Sequence, residues 1–420
     1  MKKVSQLSKS RDPIEPSRFL PSSQTDPKEF VSRISTPFIF LSVMGIFAIF
    51  SSTMSKSPTL TLFATSLGAS DPEIGLIAAA STIPGIIASL PFGILSDVYG
   101  RRKVILLSAV LFGLSPFLYL FVTNSFQLAL VRFVHGFATA IFGPVSVALV
   151  ADIFPTCRGE KMSIFSSVTL FGRLMAPFIG GILLTLTNKN FHTVYLVCGV
   201  SAIFAFAAAI MIHPEKTATS QRFEHRNIGA TFREGFGEVI SERRIFAVSV
   251  VEAGQYFAYG AVETFIPKYG EKILGLGDWQ IGVVLGLEVA LLMLTKPIMG
   301  FLSDRVGRRL PIIIGLVLGA SSLVLMFLAT SFLPLVLILM VFGIAMAMVT
   351  ASTSPLIADL CKQKSYGSAM GVLDTIMDVG QTLGPITFGL LLPILYYYVS
   401  FALVGVVLLI LAFLFMAIVR

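Results

Sequence analysis

The chain has 420 residues, of which 55% are hydrophobic and 13% charged, whereas soluble domains run at about 45–50% apolar and about 25% charged. That balance argues against a soluble enzyme, a nucleic-acid binder and a disordered scaffold. The formal net charge of +8 is then read first as orientation in a bilayer.

Residues 1–35 form a polar tail rich in Pro, Ser and charge, expected to be disordered and cytoplasmic. The tail lacks the short apolar core and small-residue cleavage site of a secretory signal. From Thr36 onward apolar runs predict twelve spans: 36–59, 74–96, 104–122, 125–151, 161–186, 191–212, 245–268, 280–302, 311–328, 332–358, 367–392 and 398–419. A membrane-crossing helix needs about 20 apolar residues. Continuous runs such as Ser201–Ile212 and Val404–Val419 lack the alternation of a barrel strand. The three cysteines, Cys157, Cys198 and Cys361, show no ligand spacing, so neither a metal site nor a disulfide framework is expected.

Counted loop by loop, 24 Lys and Arg residues fall on the side that carries both termini and the segment between spans 6 and 7. Only Lys189, Lys268 and Lys272 fall on the other side. The positive-inside rule places both termini in the cytoplasm, and a cell (plasma or inner) membrane is expected.

Adding 207 to residue numbers lays one half of the chain on the other. Gly93-Ile-Leu-Ser-Asp-Val-Tyr-Gly-Arg-Arg102 meets Gly300-Phe-Leu-Ser-Asp-Arg-Val-Gly-Arg-Arg309, identical at seven of ten positions. The same offset pairs Gly75 with Gly282, Gly136 with Gly343 and Asp152 with Asp359; after one insertion Gly172, Pro177 and Gly181 meet Gly380, Pro385 and Gly389. The expected organisation is a tail 1–35, a six-helix bundle 36–212, a cytoplasmic linker 213–244 and a second six-helix bundle 245–420.

The repeated Gly-x-Leu-Ser-Asp-x-x-Gly-Arg-Arg loop resembles the signature of the major facilitator superfamily, and the resemblance covers the chain from residue 36 on. Arg132, Gly136, Pro144 and Asp152 in span 4 are similar to a second motif of that family. Gly172-x-x-x-Ala-Pro177-x-x-Gly180-Gly181 in span 5 resembles the motif of its drug–proton antiporters, with Ala176 and Arg173 as departures. The resemblance implies an all-α polytopic fold of twelve transmembrane helices in two pseudo-symmetric six-helix halves. It also implies a substrate site near mid-membrane.

The resemblance further implies a conformational latch. Asp97, Gly100, Arg101 and Arg102, and in the second copy Asp304, Gly307, Arg308 and Arg309, would clasp the halves on the cytoplasmic side. Asp97 would meet the start of span 11 and Asp304 the start of span 5. A carboxylate suits a helix N-terminus, which carries about half a positive charge. The alternative is that these charges only anchor the topology. Small residues in span 5 permit close helix approach in lipid.

Ionisable residues inside a bilayer need a partner, a wet cavity or a function. The acids Glu252, Glu263, Glu288, Asp374 and Asp378 all lie in the second half; the first half has Lys56, Arg132, Arg173 and His135. Glu252, Tyr256, Tyr259 and Glu263 share one face of span 7, expected to line the pathway. Glu252 is either a proton carrier or a structurally paired carboxylate. Asp374 and Asp378, one turn apart, are the second proton candidates. Arg173 and Glu288 lie at similar depth and predict an interface ion pair. Lys56 and Glu263 either form an outer gate or reach water independently. Arg132, with no acid opposite it, suits an anionic part of a substrate, and His135 is either titrating or a neutral hydrogen-bonded imidazole. Phe137, Phe142, Phe342, Tyr256 and Tyr259 are the aromatic candidates for the cavity.

No nucleophile–base pair, phosphate loop or metal cluster suggests an enzyme, and no cofactor is expected. The leading expectation is a monomeric exporter that exchanges protons for an amphipathic, drug-like small molecule by alternating access in the lipid bilayer. The alternatives are a facilitator or proton symporter for an organic anion or metabolite, and a non-transporting membrane sensor or scaffold. No nucleic-acid partner is expected.

Overall fold

The computed structural model describes residues 35–154, 157–213, 237, 241–360 and 366–419, with backbone alone at 358 and 366–371. Almost all of this lies in one unit, Pro37–Arg420, and the described residues contain no strand. Of the predicted domains, the tail and most of the linker fall outside the described residues.

The first apolar run becomes two helices, α1 (Thr36–Met54) and α2 (Thr59–Ser66). Pro58, which cannot donate an amide hydrogen, interrupts them, and the rod runs seven residues beyond the predicted end at 59. The second run also breaks, into α3 (Asp71–Ala80) and α4 (Ile83–Tyr99), at Ser81 and Thr82 just ahead of Pro84. Next come α5 (Arg101–Leu118) with a 3-10 turn to Phe121, α6 (Ser125–Ile153), α7 (Arg158–Leu186) and α8 (Phe191–Ile210). The second set comprises α9 (Arg243–Lys272), α10 (Asp278–Val306), α11 (Arg309–Val324) with a 3-10 turn to Leu328, α12 (Phe332–Leu360), α13 (Tyr366–Leu391) and α14 (Tyr397–Ile418).

Among the described residues, eleven helical stretches are long and apolar enough to cross a membrane. The 26-residue α13 sits where span 11 was expected but is not one of the eleven. Asp374, Asp378, Gln381 and Thr382 lower its hydropathy.

Two seams join the helices before residue 213 to those after 241: α3 lies along α13, and α7 along α10. Backbone meets backbone in both. A Cβ on Gly181 would lie 2.8 Å from Gly282 Cα, and one on Gly282 would lie 2.5 Å from the Pro177 carbonyl oxygen. In the other seam Gly75 abuts the Pro385 carbonyl and Gly389 the Asp71 carbonyl. Gly172 and Gly180 turn instead toward α1, against the backbone of Ile46 and the Met54 side chain. Each copy of the proline–glycine motif therefore builds one seam between the sets, by the close approach that small residues allow.

The seams have an end. On the face of α10 that meets α7, a Cβ on Gly282 or Gly286 would collide with the Pro177 carbonyl or the Phe178 ring, whereas one on Gly300, about five turns further along the same face, would meet nothing within 4 Å. The packed end carries the loops at Lys189 and Lys272; we call it the far end. The splayed end carries the two Gly-Arg-Arg loops; we call it the basic end.

Candidate functional site

Between the two sets lies a cavity of about 580 Å³. Its first-set wall carries Lys56, Ser81, Thr82, Arg132, His135 and Arg173. Its second-set wall carries Tyr256, Tyr259, Glu263, Asp374, Asp378 and Gln381. The division of charge noticed along the chain thus becomes a division between facing walls.

The break in the second apolar run shapes the first wall. Ser81 and Thr82, at the break, reach different partners with their hydroxyls. Ser81 Oγ accepts from Arg132 Nη2 at 2.6 Å, and Thr82 Oγ1 meets Thr382 Oγ1 on α13 at 2.6 Å. Arg132 is 3% exposed; its Nη1 donates to Tyr119 Oη at 3.4 Å, and its Nε has no partner. His135 Nδ1 lies 3.2 Å from the same Tyr119 hydroxyl, and Tyr119 stacks on Tyr195 with ring centres 4.2 Å apart. The His135 Nε2 is unpartnered. Tyr119, Tyr195 and Ser81 were not among the sequence candidates. Each sits in an apolar run, and nothing along the chain ties it to Arg132.

On the second wall, Asp378 packs its carboxylate against Gly85, which leaves no room for a side chain there. Tyr256 and Tyr259 stand edge to face, 6.4 Å between centres. The expected face of span 7 is only partly on the pathway. Glu252 is 1% exposed and does not line the cavity. One turn of α9 separates it from Tyr256, and at that level the helix faces inward, with Glu252 Oε2 and both polar atoms of Gln255 unpartnered. Phe142 and Phe342 are likewise buried in packing, at 4% and 0%, and not on the wall. Phe137 meets Phe133 edge to face and does not line the cavity.

The far end of the cavity is closed by contacts that cross between the sets. Lys56 Nζ meets Glu263 Oε2 at 2.6 Å, with side chains 19% and 10% exposed. Lys268 Nζ meets Asp71 Oδ1 at 2.5 Å, and Lys189 pairs with Glu271 and, at 3.5 Å, with Asp278. Thr61 Oγ1 donates to the Thr264 carbonyl at 2.6 Å, and the Trp279 amide donates to Thr185 Oγ1 at 3.0 Å. Burial at Lys189 works against its charge, but the hydrogen bond from its ammonium to Glu271 and the Asp278 and Glu271 charges outweigh that and raise its pKa above 10.5. The pair predicted between Arg173 and Glu288 is not formed. The helices meet at the expected depth, but Gly181, Gly282 and Gly286 occupy the contact. Arg173 turns to the cavity, whereas Glu288 lies in a separate small pocket beside Tyr259 and Glu263.

At the basic end, charges pair within each set. Arg101 binds Asp97, Ser96 Oγ at 2.5 Å and Asp152 at 3.0 Å. Arg308 repeats this with Asp304, Ser303 Oγ at 2.9 Å and Asp359 at 3.5 Å. Arg102 donates to the carbonyl of Ile210 and Arg309 to that of Met416, each close to a helix C-terminus, where cations are favoured. Gly100 and Gly307 turn the chain at φ +95 and +89, which side chains rarely adopt. The expected contact of Asp304 with the start of span 5 is not made: Asp304 is bound to Arg308 and its side chain is 58% exposed. The start of span 11, expected to meet Asp97, falls on side chains outside those described. No cluster of three or more His, Cys, Asp or Glu side chains that could hold a metal occurs among the described residues.

The model of the Major Facilitator Superfamily matches residues 40–294 and 278–420. An uncharacterized MFS-type transporter of Methanocaldococcus jannaschii is 29% identical over 357 residues, 81% of this chain and 87% of that protein. The quinolone resistance protein NorA of Staphylococcus aureus is 28% identical over 188 residues, 44% of this chain and 48% of NorA. Among solved structures, the nucleoside transporter NupG superposes with a TM-score of 0.75 at 14% identity, over 91% of this chain and 99% of that one. A bacterial homologue of the human lysosomal transporter Spinster, in an inward-facing and occupied conformation, also gives 0.75, at 15% identity over 94% and 97%. At such identity the two structures speak for the fold alone. The repeated loop, the paired glycine seams and the family match lead to one conclusion: this chain is a membrane transporter belonging to the Major Facilitator Superfamily.

Proposed function

We propose that the chain is a proton-coupled exporter of amphipathic small molecules, working by alternating access, and that the structure is its inward-open state. The observation that carries this is the cavity itself. It is sealed at the far end by ion pairs that cross between the sets and splayed at the basic end, and two carboxylates without an ion-pair partner among the described residues, Asp374 and Asp378, line its wall. The basic end is the cytoplasmic one by the positive-inside rule. In this reading α13 is a twelfth span, its polar face turned to the cavity. The chain is then two six-helix bundles, 36–212 and 245–420, joined by a cytoplasmic linker, with both termini inside a cell membrane, active as a monomer.

Asp378 and Asp374, being on the cavity wall, are the proton carriers, with Asp378 the deeper of the two. Glu252, buried off the wall, has a structural role. Lys56 and Glu263 form the outer gate, and the loops at Asp97 and Asp304 are latches that close when the basic end closes. The drug-exporter branch is supported by the span 5 motif and by the partial likeness to NorA.

The test is reconstitution in liposomes with a pH-reporting lumen, adding lipophilic cations, neutral drugs and organic anions in turn. An imposed proton gradient should discharge only with certain compounds, and Asp378→Asn should abolish that discharge while leaving the protein folded. A second reading, a facilitator or symporter for an organic anion, is favoured by Arg132, which has no carboxylate partner among the described residues. Equilibration of an anion without any gradient would establish it and remove the exporter.

A further inference from the structure

Arg132 is a buried cation inside the membrane with no counter-ion among the described residues. Among the described residues no carboxylate lies within ion-pair distance of it, and the one carboxylate on the wall near the first-set lysine, Glu263, is engaged by Lys56. A guanidinium has five N–H donors; Ser81 and Tyr119 take two, and Nε has none. A charge held this way is costly to bury until a partner arrives. Across the cavity Asp374 and Asp378 present the mirror problem. Neither forms an ion pair among the described residues, and both line the wall.

We propose that the cavity takes amphoteric small molecules, with an oxyanion seated on Arg132 and a protonated amine on Asp378 and Asp374. The proposal rests on the reading of this cavity as the substrate site. A planar guanidinium with free donors favours a carboxylate or phosphate that can accept two parallel hydrogen bonds. His135, on the same wall, keeps a buried Nε2 with no partner beside that seat. A purely anionic molecule would meet the two carboxylates, and a purely cationic one would meet Arg132 and Arg173; such like-charge meetings are what excludes wrong partners. A molecule carrying both signs satisfies both walls.

The geometry also sets the spacing. Ser81 holds the guanidinium, and Gly85 carries the Asp378 carboxylate against its backbone. These positions are four residues apart with the break at Ser81 and Thr82 between them, so the helical rise gives only the scale of their separation, about 6 Å. The two charges of the substrate should therefore lie about one helical turn apart. A simple α-amino acid is too short, and a linker of several atoms is needed. The edge-to-face pair Tyr256 and Tyr259 offers an aromatic surface beside the two carboxylates.

The probe is Nα-dansyl-lysine, which has an aromatic body and a carboxylate separated from its ε-ammonium by a four-carbon stem. Its methyl ester keeps only the cation and its Nε-acetyl derivative only the anion. Binding is followed by dansyl fluorescence with purified full-length protein in detergent, without any gradient. We expect the parent to bind at least about tenfold more tightly than either derivative, the worth of one charge-assisted pair. Arg132→Gln should bring the parent to the level of its ester and leave the ester unchanged; Asp378→Asn should bring it to the level of the acetyl compound. Arg132→Lys, which keeps the charge, should retain part of the preference and controls for folding. A derivative that binds as tightly as the parent, a ratio unchanged in Arg132→Gln, or no binding by any of the three would overturn the proposal. Because no gradient is used, loss of proton coupling in liposomes with this discrimination intact would remove the exporter and leave the substrate class standing.

Discussion

The two ends of the molecule carry similar numbers of ion pairs and use them differently. At the basic end, Arg101 and Arg308 are bound to acids of their own set, Asp97 with Asp152 and Asp304 with Asp359. At the far end the pairs Lys56–Glu263, Lys268–Asp71 and Lys189–Glu271 each join one set to the other. A pair within a set shapes a loop and is indifferent to whether the sets meet. A pair across sets is broken whenever they part, so its free energy biases one state over the other. Charge count is therefore no guide to a gate; what matters is which set of helices each partner belongs to.

The strongest way to break that comparison is to pry the far end open by volume. Gly282→Val places atoms on the Pro177 carbonyl and on Gly181, both backbone, which cannot swing aside. Overpacking costs about 1–3 kcal/mol where neighbours relax; against backbone we expect the top of that range, about a hundredfold loss of the closed far end. The measurement is labelling of Ser57→Cys by a membrane-impermeant thiol reagent added at the far side. It should be slow in the parent and fast in the variant. Gly300→Val, on the same helix but with nothing within 4 Å of its Cβ position, should leave labelling unchanged. Equal labelling in both variants would mean that the α7–α10 seam does not hold the gate.

Charge reversal is the next largest effect. Lys56→Glu alone leaves two acids facing each other in a partly buried site, where losing one partner costs about 3–5 kcal/mol when burial is complete. With 19% and 10% exposure the loss is smaller, and we expect about a tenfold gain in far-side labelling. Adding Glu263→Lys should restore the parental rate. The matched experiment at the other end is Arg101→Ala, which should loosen the loop at Gly100 without changing far-side labelling. A double reversal that fails to rescue would leave Lys56 and Glu263 as two independent charges.

How much of this was readable along the chain differs between the ends for the same reason. At the basic end the recurrence was legible, Asp97 with Asp304, Arg101 with Arg308 and Asp152 with Asp359 at one offset, but the pairing within each set was not: Asp304 was expected to reach span 5 and binds Arg308 instead. Glycine and proline of the span 5 motif likewise announced close approach; that its second copy builds a second seam, against α3, emerged only from the structure. The far-end pairs other than Lys56 with Glu263 were not legible. Lys189 and Lys268 stood out only as two of three basic residues on the sparsely charged side, where the orientation rule treats them as exceptions. Their partners Glu271 and Asp71 lie 82 and 197 residues away, and nothing local points to them. The missed pairing of Arg173 with Glu288 has a related cause. Depth can be counted from helix ends, but the direction of a side chain depends on which face the glycines claim. Glu252 failed in the same way, since a shared face on α9 does not guarantee that the face stays on the cavity along its length.

The smallest effect, and the one that sharpens the comparison most finely, concerns Lys189. Its side chain is 40% exposed and it touches Glu271 and Asp278 across the seam. A pair so open to solvent contributes about 0–1 kcal/mol, so Lys189→Gln should raise far-side labelling of Ser57→Cys by no more than about fivefold. The sign of its pH dependence follows from the raised pKa. Lys189 is held above its ordinary 10.5 by its acidic partners, despite the cost of burial, so its contribution to closure is fully present below that value. It fades only as pH rises through the raised value in the closed state. Far-end labelling should accordingly show no Lys189-dependent change between pH 6 and 9. Raising salt to about 1 M, where screening acts within about 3 Å, should erase most of the difference between Lys189→Gln and its parent. A mutant effect that persists at high salt would instead assign Lys189 to packing of the α7–α8 turn and take it out of the gate.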